Sequence, residues 1–181
     1  GDLTIIKPLC ELQNATFRAP FVLELRNIPF QQQEQILYFI VDRLPRFRYG
    51  ALDARGNGQY LAERAMQKYG ASRIAQVMLT EAWYRENMPK LKAAFEDRSI
   101  RIPKDADIID DYRAFKMVKG VAKLPDTKTK GQDKQQRHGD AGVAGALAWF
   151  ATRQETVVIE FESTGVRRVS ASDSMSNFMG N

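Results

Sequence analysis

An α/β fold, a mixed β-sheet with helices on its faces, is the class this sequence predicts, and three observations carry it. The chain opens on two strand-like segments joined by a polar turn, and strands then alternate with helix-period stretches. Its 181 residues are 44% apolar and 27% charged, enough for one full core and against global disorder. A smooth run, Ala141-Gly142-Val143-Ala144-Gly145-Ala146-Leu147-Ala148-Trp149-Phe150, supplies a helix small enough to lie tightly against a sheet.

Leu3 to Leu12 is β-rich, with Pro8 marking an edge or a bulge. Gln13-Asn14-Ala15-Thr16 reads as a turn, and Phe17 to Arg26 alternates as its hairpin partner. Pro29 opens a helix whose stripe is Ile36, Leu37, Phe39, Ile40 and Leu44, and Pro45 stops it. Arg46 to Asp53 is a strand that runs into the glycine-bearing turn Ala54-Arg55-Gly56-Asn57-Gly58. A helix from Gln59 to Tyr69 ends at Gly70, Arg73 to Leu79 is a strand, and Thr80-Glu81 starts the next helix. Pro89 is expected to bend or divide that helix, whose Trp83, Tyr84 and Phe95 read as core. Ser99 to Ile102 is β-like, Asp107 to Phe115 helical, and Lys116 to Leu124 a strand. Pro125 to Gln136 is a polar, lysine-rich exposed loop. Beyond the glycine-alanine helix, Thr156 to Phe161 is a last strand and Val166 to Asn181 a tail.

Composition removes several classes. One cysteine, Cys10, excludes an intrachain disulfide framework and Cys-rich zinc sites, and its apolar surroundings predict burial. No apolar run approaches the roughly 20 residues that cross a bilayer, so no membrane partner is expected and a reducing cytoplasm is the expected compartment. A net charge of +5 permits an anionic partner without demanding one. There is no phosphate-binding G-x-x-x-x-G-K-[ST] motif, and a single histidine makes a hydrolytic triad a poor fit. The chain starts without Met in strand-like sequence, as a piece of a longer protein would.

What remains is a pair of carboxylates. Asp53 closes an apolar strand, and in such sheets ligands gather beyond the carboxyl ends of strands. It either caps the following helix through an Asx turn or holds a metal, with Arg55 meeting a phosphate oxygen. Asp140, behind Arg137-His138-Gly139, either complements a helix N-terminus or joins Asp53. His138 is an exposed loop residue or a phosphate-orienting, proton-transferring one. Paired carboxylates suit hard Mg²⁺ or Mn²⁺, and two such ions about 4 Å apart assist phosphodiester cleavage. Lys116, Lys119, Lys123, Lys128, Lys130, Lys134 and Arg137 cluster just before the second acid, as a DNA phosphate track would.

The order of these parts resembles the ribonuclease H-like nuclease domain: hairpin, helix, a strand ending in Asp53-Ala54-x-Gly56-x-Gly58, helix, strand, helix, hairpin, then His138-Gly139-Asp140-Ala141. More narrowly it resembles the C-terminal nuclease domain of tailed-phage large terminase subunits in the Mu-like branch, over Gly1 to Arg153. The resemblance implies a ribonuclease H-like mixed β-sheet flanked by helices, with residues 1–165 as nuclease domain and 166–181 as flexible tail. It also implies Mg²⁺- or Mn²⁺-dependent cutting of double-stranded phage DNA during packaging, with two ions in the intact domain. An ATPase domain upstream in the same polypeptide, the portal and the small terminase subunit are the implied partners. Asp53 matches the second acid of the family triad and Asp140 the third. Gly1-Asp2-Leu3-Thr4 matches the portion that follows the first acid, so the first catalytic strand and its ligand are expected before Gly1 and this stretch alone is expected to be weakened or inactive. Two departures trim the acidic set: Gly139 stands where many relatives have Asp, and Val143 where some carry another acid. The alternatives are a catalytically degenerate DNA-binding or docking module, and a resolvase- or transposase-like nuclease of the same fold.

Overall fold

The computed structural model describes residues 3–125, 129–130, 136–137 and 139–155. The first half contains β1 (Leu3–Ile6), β2 (Cys10–Glu11), β3 (Phe17–Arg18), β4 (Leu23–Arg26), α1 (Phe30–Val41), β5 (Gly50–Asp53) and α2 (Gly58–Tyr69). The second contains β6 (Ile74–Val77), α3 (Glu81–Glu96), β7 (Ile100–Arg101), α4 (Ala106–Arg113), β8 (Lys116–Val118), β9 (Val121–Lys123), β10 (Thr129–Lys130), β11 (Gln136–Arg137) and α5 (Asp140–Ala151).

Two ladders form the centre. β1 pairs antiparallel with β4, and β5 pairs parallel with β6 in the register Gly50↔Ile74 to Asp53↔Val77. The parallel pair needs a crossover, and α2 provides it, as a βαβ unit requires. Hydrophobic layers fill both faces. On one, Leu37 of α1, Leu61 and Ala65 of α2 and Ile74 of β6 pack together. On the other, Val77, Leu79, Tyr84, Met88, Leu91, Val121, Ala146 and Leu147 join α3, β9 and α5. Glu34 on α1 ties the outer layer together by accepting from Arg64 (2.9 Å) and Tyr60 (2.7 Å) on α2.

β1 and β5 each have a single ladder partner among the described residues. Consecutive residues of both, Leu3 to Ile6 and Gly50 to Asp53, line one large cleft between them. α1 contributes Leu37, Ile40 and Val41 to its walls, and α5 contributes Val143, Ala144 and Leu147. α5 packs on β1 and on β5, so one helix straddles both ladders.

Several expectations are corrected. The opening β-rich stretch is broken into β1 and β2, because Pro8 carries no N–H and cannot continue a ladder. Cys10 is exposed, since its two-residue strand lies at the cleft rather than under a layer. α3 runs through Pro89 as a single helix from Glu81 to Glu96. Lys116 to Leu124 is a hairpin: Lys119 (φ 50°) and Gly120 (φ 78°) take left-handed conformations that reverse the chain in two residues. Within the lysine-rich segment, β10 and β11 pair antiparallel. The expected strand at Thr156 to Phe161 and the C-terminal tail lie outside the described residues.

The glycines of α5 serve a neighbour that spacing alone does not reveal. Gly139, Gly142 and Gly145 lie three residues apart on the edge facing α4, not the sheet. A Cβ at Gly142 would stand 2.8 Å from the Asp111 carbonyl oxygen and 2.7 Å from Phe115, and one at Gly145 would collide with the Tyr112 hydroxyl. Lys7, buried just after β1, donates to that hydroxyl at 2.6 Å. Burial pulls the Lys7 ammonium down to about 8, with the Asp111 carboxylate opposing. Because the folded value lies below the unfolded one, the burial cost is fully present below pH 8 and is relieved as pH rises from there toward 10.5. Between pH 7 and 9.5 the wild type should therefore gain about 2 kcal/mol relative to Lys7→Met, read from urea unfolding at each pH. Parallel pH profiles for the two proteins would refute this.

Candidate active site

Asp53 is the last residue of β5, and the chain turns back immediately beyond it. Its Oδ1 accepts the Arg55 backbone N–H at 3.0 Å, an Asx turn. Gly58 then starts α2 directly against the Asp53 carbonyl, where any Cβ would overlap that oxygen. The carboxylate faces a guanidinium edge-on: Arg55 Nε to Oδ1 and Nη2 to Oδ2, both 3.1 Å. The remaining Arg55 nitrogen, Nη1, donates to the Leu79 carbonyl at 3.0 Å, fixing the fork across the ends of β5 and β6. Hydrogen bonding to Asp53 raises the Arg55 pKa further. Below it lies Tyr84, whose hydroxyl burial pushes up.

Asp140 is the first residue of α5. Its preceding residue, Gly139, sits in the left-handed region (φ 72°, ψ 25°), which reverses the chain into the helix and carries no side chain to cap it. Leu124 and the Asp111 carbonyl crowd Gly139, with Leu124 Cδ2 at 2.5 Å from the position a Cβ would take. Asp53, Arg55, Glu81, Tyr84, Lys123 and Asp140 all line the cleft between the two ladders. The two acids, far apart in the chain, both border this cleft, and α5, which Asp140 opens, packs on β5, which Asp53 closes.

The other candidates divide. Lys116 and Lys119 are exposed on the β8–β9 hairpin, and Lys123 on β9 reaches Glu81 at 3.3 Å. Lys130 and Arg137 fall on β10 and β11. His138, Lys128 and Lys134 lie outside the described residues. Two acids escaped the sequence reading. Glu81 follows β6, the parallel neighbour of β5, so it opens at the same end of the sheet as Asp53. Asp111 on α4 is 1% exposed, and its Oδ2 accepts the Ala141 N–H at 2.9 Å.

This arrangement has relatives. The chain is 44% identical over 164 residues to the "Probable terminase, large subunit gp28" of Escherichia phage Mu, covering 90% of this chain and 30% of that protein. It is 42% identical over 163 residues to the "Mu-like prophage FluMu protein gp28" of Haemophilus influenzae, covering 89% and 32%. The chain is homologous to one part of Mu-like large terminase subunits. It spans about a third of the length of these relatives. The crystal structure of the large terminase nuclease from thermophilic phage G20c matches with a TM-score of 0.54 over 85% of this chain and 84% of that one. At 14% identity the match establishes the fold, which is ribonuclease H-like as the resemblance implied. No family model matches the chain.

The fit to a divalent metal is set by donors. Among the described residues no group of three His, Cys, Asp or Glu is placed to hold an ion. The donor chemistry of the cleft suits Mg²⁺, which keeps several waters and takes only one or two carboxylates with substrate phosphate: Asp53 and Asp140 both border it. Asp53 already accommodates a cationic partner, the Arg55 guanidinium. No helix among the described residues is long and apolar enough to cross a membrane.

Proposed function

We propose that this chain is the nuclease part of a phage DNA-packaging terminase, an endonuclease that cuts double-stranded phage DNA in the cleft between the ladders using Mg²⁺ or Mn²⁺. The observation that supports the reading is that Asp53, at the carboxyl end of the β5–β6 pair, and Asp140, at the start of a helix packed on β5, border the same cleft. The similarity to part of two Mu-like large terminase subunits supports it.

Asp53 and Asp140 hold the metal, which when bound supplies Lewis-acid stabilisation of charge developing on the phosphate. Arg55, anchored through Nη1 to the Leu79 carbonyl, keeps Asp53 neutralised in the absence of metal. Its two other nitrogens then turn to phosphate oxygens, a geometry suited to bidentate contact. Lys116, Lys119 and Lys123 on the hairpin, with Lys128, Lys130, Lys134 and Arg137 beyond it, follow the DNA backbone and carry no base specificity. His138 orients the scissile phosphate or moves a proton there. A further strand entering between β1 and β5 brings the third acid, a placement supported by the two ladder edges that line the cleft residue by residue. In the same reading an ATPase domain of the polypeptide, the portal and the small subunit are the partners.

The test is plasmid nicking by the full-length terminase. Supercoiled DNA is converted to the open-circle form in Mn²⁺ or Mg²⁺, and EDTA stops the conversion. Nicking that survives EDTA would end the metal-dependent reading. DNA binding that is salt-sensitive, weakened by charge reversal at Lys128 and Lys130 and without any nicking would favour a degenerate docking module, to which the Asp53–Arg55 pairing is also suited.

A further inference from the structure

We propose that Asp111 is a positioning residue for the metal site, holding Asp140 in place through the backbone from a different helix. The inference rests on the reading of Asp140 as a metal ligand. α5 has no side-chain cap of its own, because Gly139 stands where Ser, Thr, Asp or Asn usually accepts the first amides. Asp111 supplies that acceptor from α4: its Oδ2 takes the N–H of Ala141, the amide joined directly to the Asp140 carbonyl carbon. This single bond fixes the peptide plane on the C-terminal side of Asp140, and with it the direction in which the Asp140 side chain leaves the helix.

The surroundings make that fixing stiff. Asp111 is 1% exposed, so water does not compete for its carboxylate. The buried Lys7 ammonium balances its charge from just beyond β1, the strand on which α5 also rests. Gly139 and Gly142 let α5 close on the α4 backbone, where a Cβ would stand 3.3 Å and 2.8 Å from the Asp111 carbonyl oxygen. α4, the segment after β1 and α5 therefore meet at one buried carboxylate immediately behind the proposed ligand. An ordinary cap would be met by a residue within the same helix. A buried acid 30 positions upstream makes the placement of Asp140 depend on the tertiary fold.

The experiment is Mn²⁺ titration of the full-length protein, followed by isothermal calorimetry or by loss of the free-ion paramagnetic resonance signal, so that binding is read without activity. Groups that orient a ligand typically change metal affinity by 10–100-fold, so Asp111→Ala should weaken Mn²⁺ by at least about 10-fold. Asp111→Asn keeps an oxygen at the same reach and should lose less than about threefold, with the Ala141 amide still protected from hydrogen exchange. Gly142→Ala leaves every polar group in place but forces α5 off α4, so it should weaken binding as Asp111→Ala does. It keeps the question decidable where Asp111→Ala fails to fold. Wild-type affinity in folded Asp111→Ala or Gly142→Ala, or an equal loss in Asp111→Asn and Asp111→Ala, overturns the proposal. Asp140→Ala separates the two levels: if it binds Mn²⁺ like the wild type, the reading of Asp140 as a ligand fails; if it alone loses binding, only the positioning role of Asp111 does.

Discussion

Asp53→Ala and Asp140→Ala should each drop metal-dependent plasmid nicking by full-length terminase below about a hundredth of wild type, since deleting a direct ligand removes more than the 10–100-fold typical of a supporting residue. Neither change should unfold the protein. The Asp53–Arg55 pair is a third or more exposed on both sides, and such pairs contribute about 1 kcal/mol or less. Asp140 stands in the first turn of α5, where an acid adds about 0.3–1 kcal/mol through the helix dipole. Activity and stability should therefore separate: cleavage is lost while the urea midpoint hardly moves. Full cleavage by either variant would leave a ribonuclease H-like fold without the proposed chemistry.

Gly145→Ala should destabilise the chain by about 2 kcal/mol, although alanine is the better helix former by about 1 kcal/mol. The new methyl falls on the Tyr112 hydroxyl. Tyr112 has little freedom to retreat. Its hydroxyl accepts from Lys7 at 2.6 Å, and its ring packs edge-on against Phe95 with centroids 5.2 Å apart. Relief means breaking a partly buried hydrogen bond or moving α5 off α4, and either outweighs the gain in propensity. Urea denaturation measures the result. A more stable alanine variant would show that the α4–α5 contact tolerates an extra methyl.

Much of this architecture was legible in the residues because its signals are local. Pro29 and Pro45 bracket α1, Gly70 ends α2, and the glycines after Asp53 announce a tight exit from β5. That Asp53 and Asp140 border one cleft was legible for a different reason: strand ends and helix starts collect on one side of such a sheet. What stayed hidden depends on partners distant in sequence. The glycine spacing of α5 shows that something approaches closely, but not that it is Asp111 and Tyr112 of α4. Asp111 belongs to Ala-Asp-Ile-Ile-Asp-Asp-Tyr-Arg, three acids in eight residues, which reads as a solvated face. Only the arrival of Lys7 and the start of α5 makes one of them buried. Cys10 misled for the converse reason: apolar neighbours in sequence promised a layer above it, and its two-residue strand borders a cleft instead.

The facing borders of β1 and β5 carry backbone groups with no ladder mate among the described residues, and unmated borders invite foreign strands. Here helices α1 and α5 stand guard above and below. A strand filling that gap, as the proposed function has it, would meet the apolar side chains of both helices, so it should be apolar on its two faces rather than alternating.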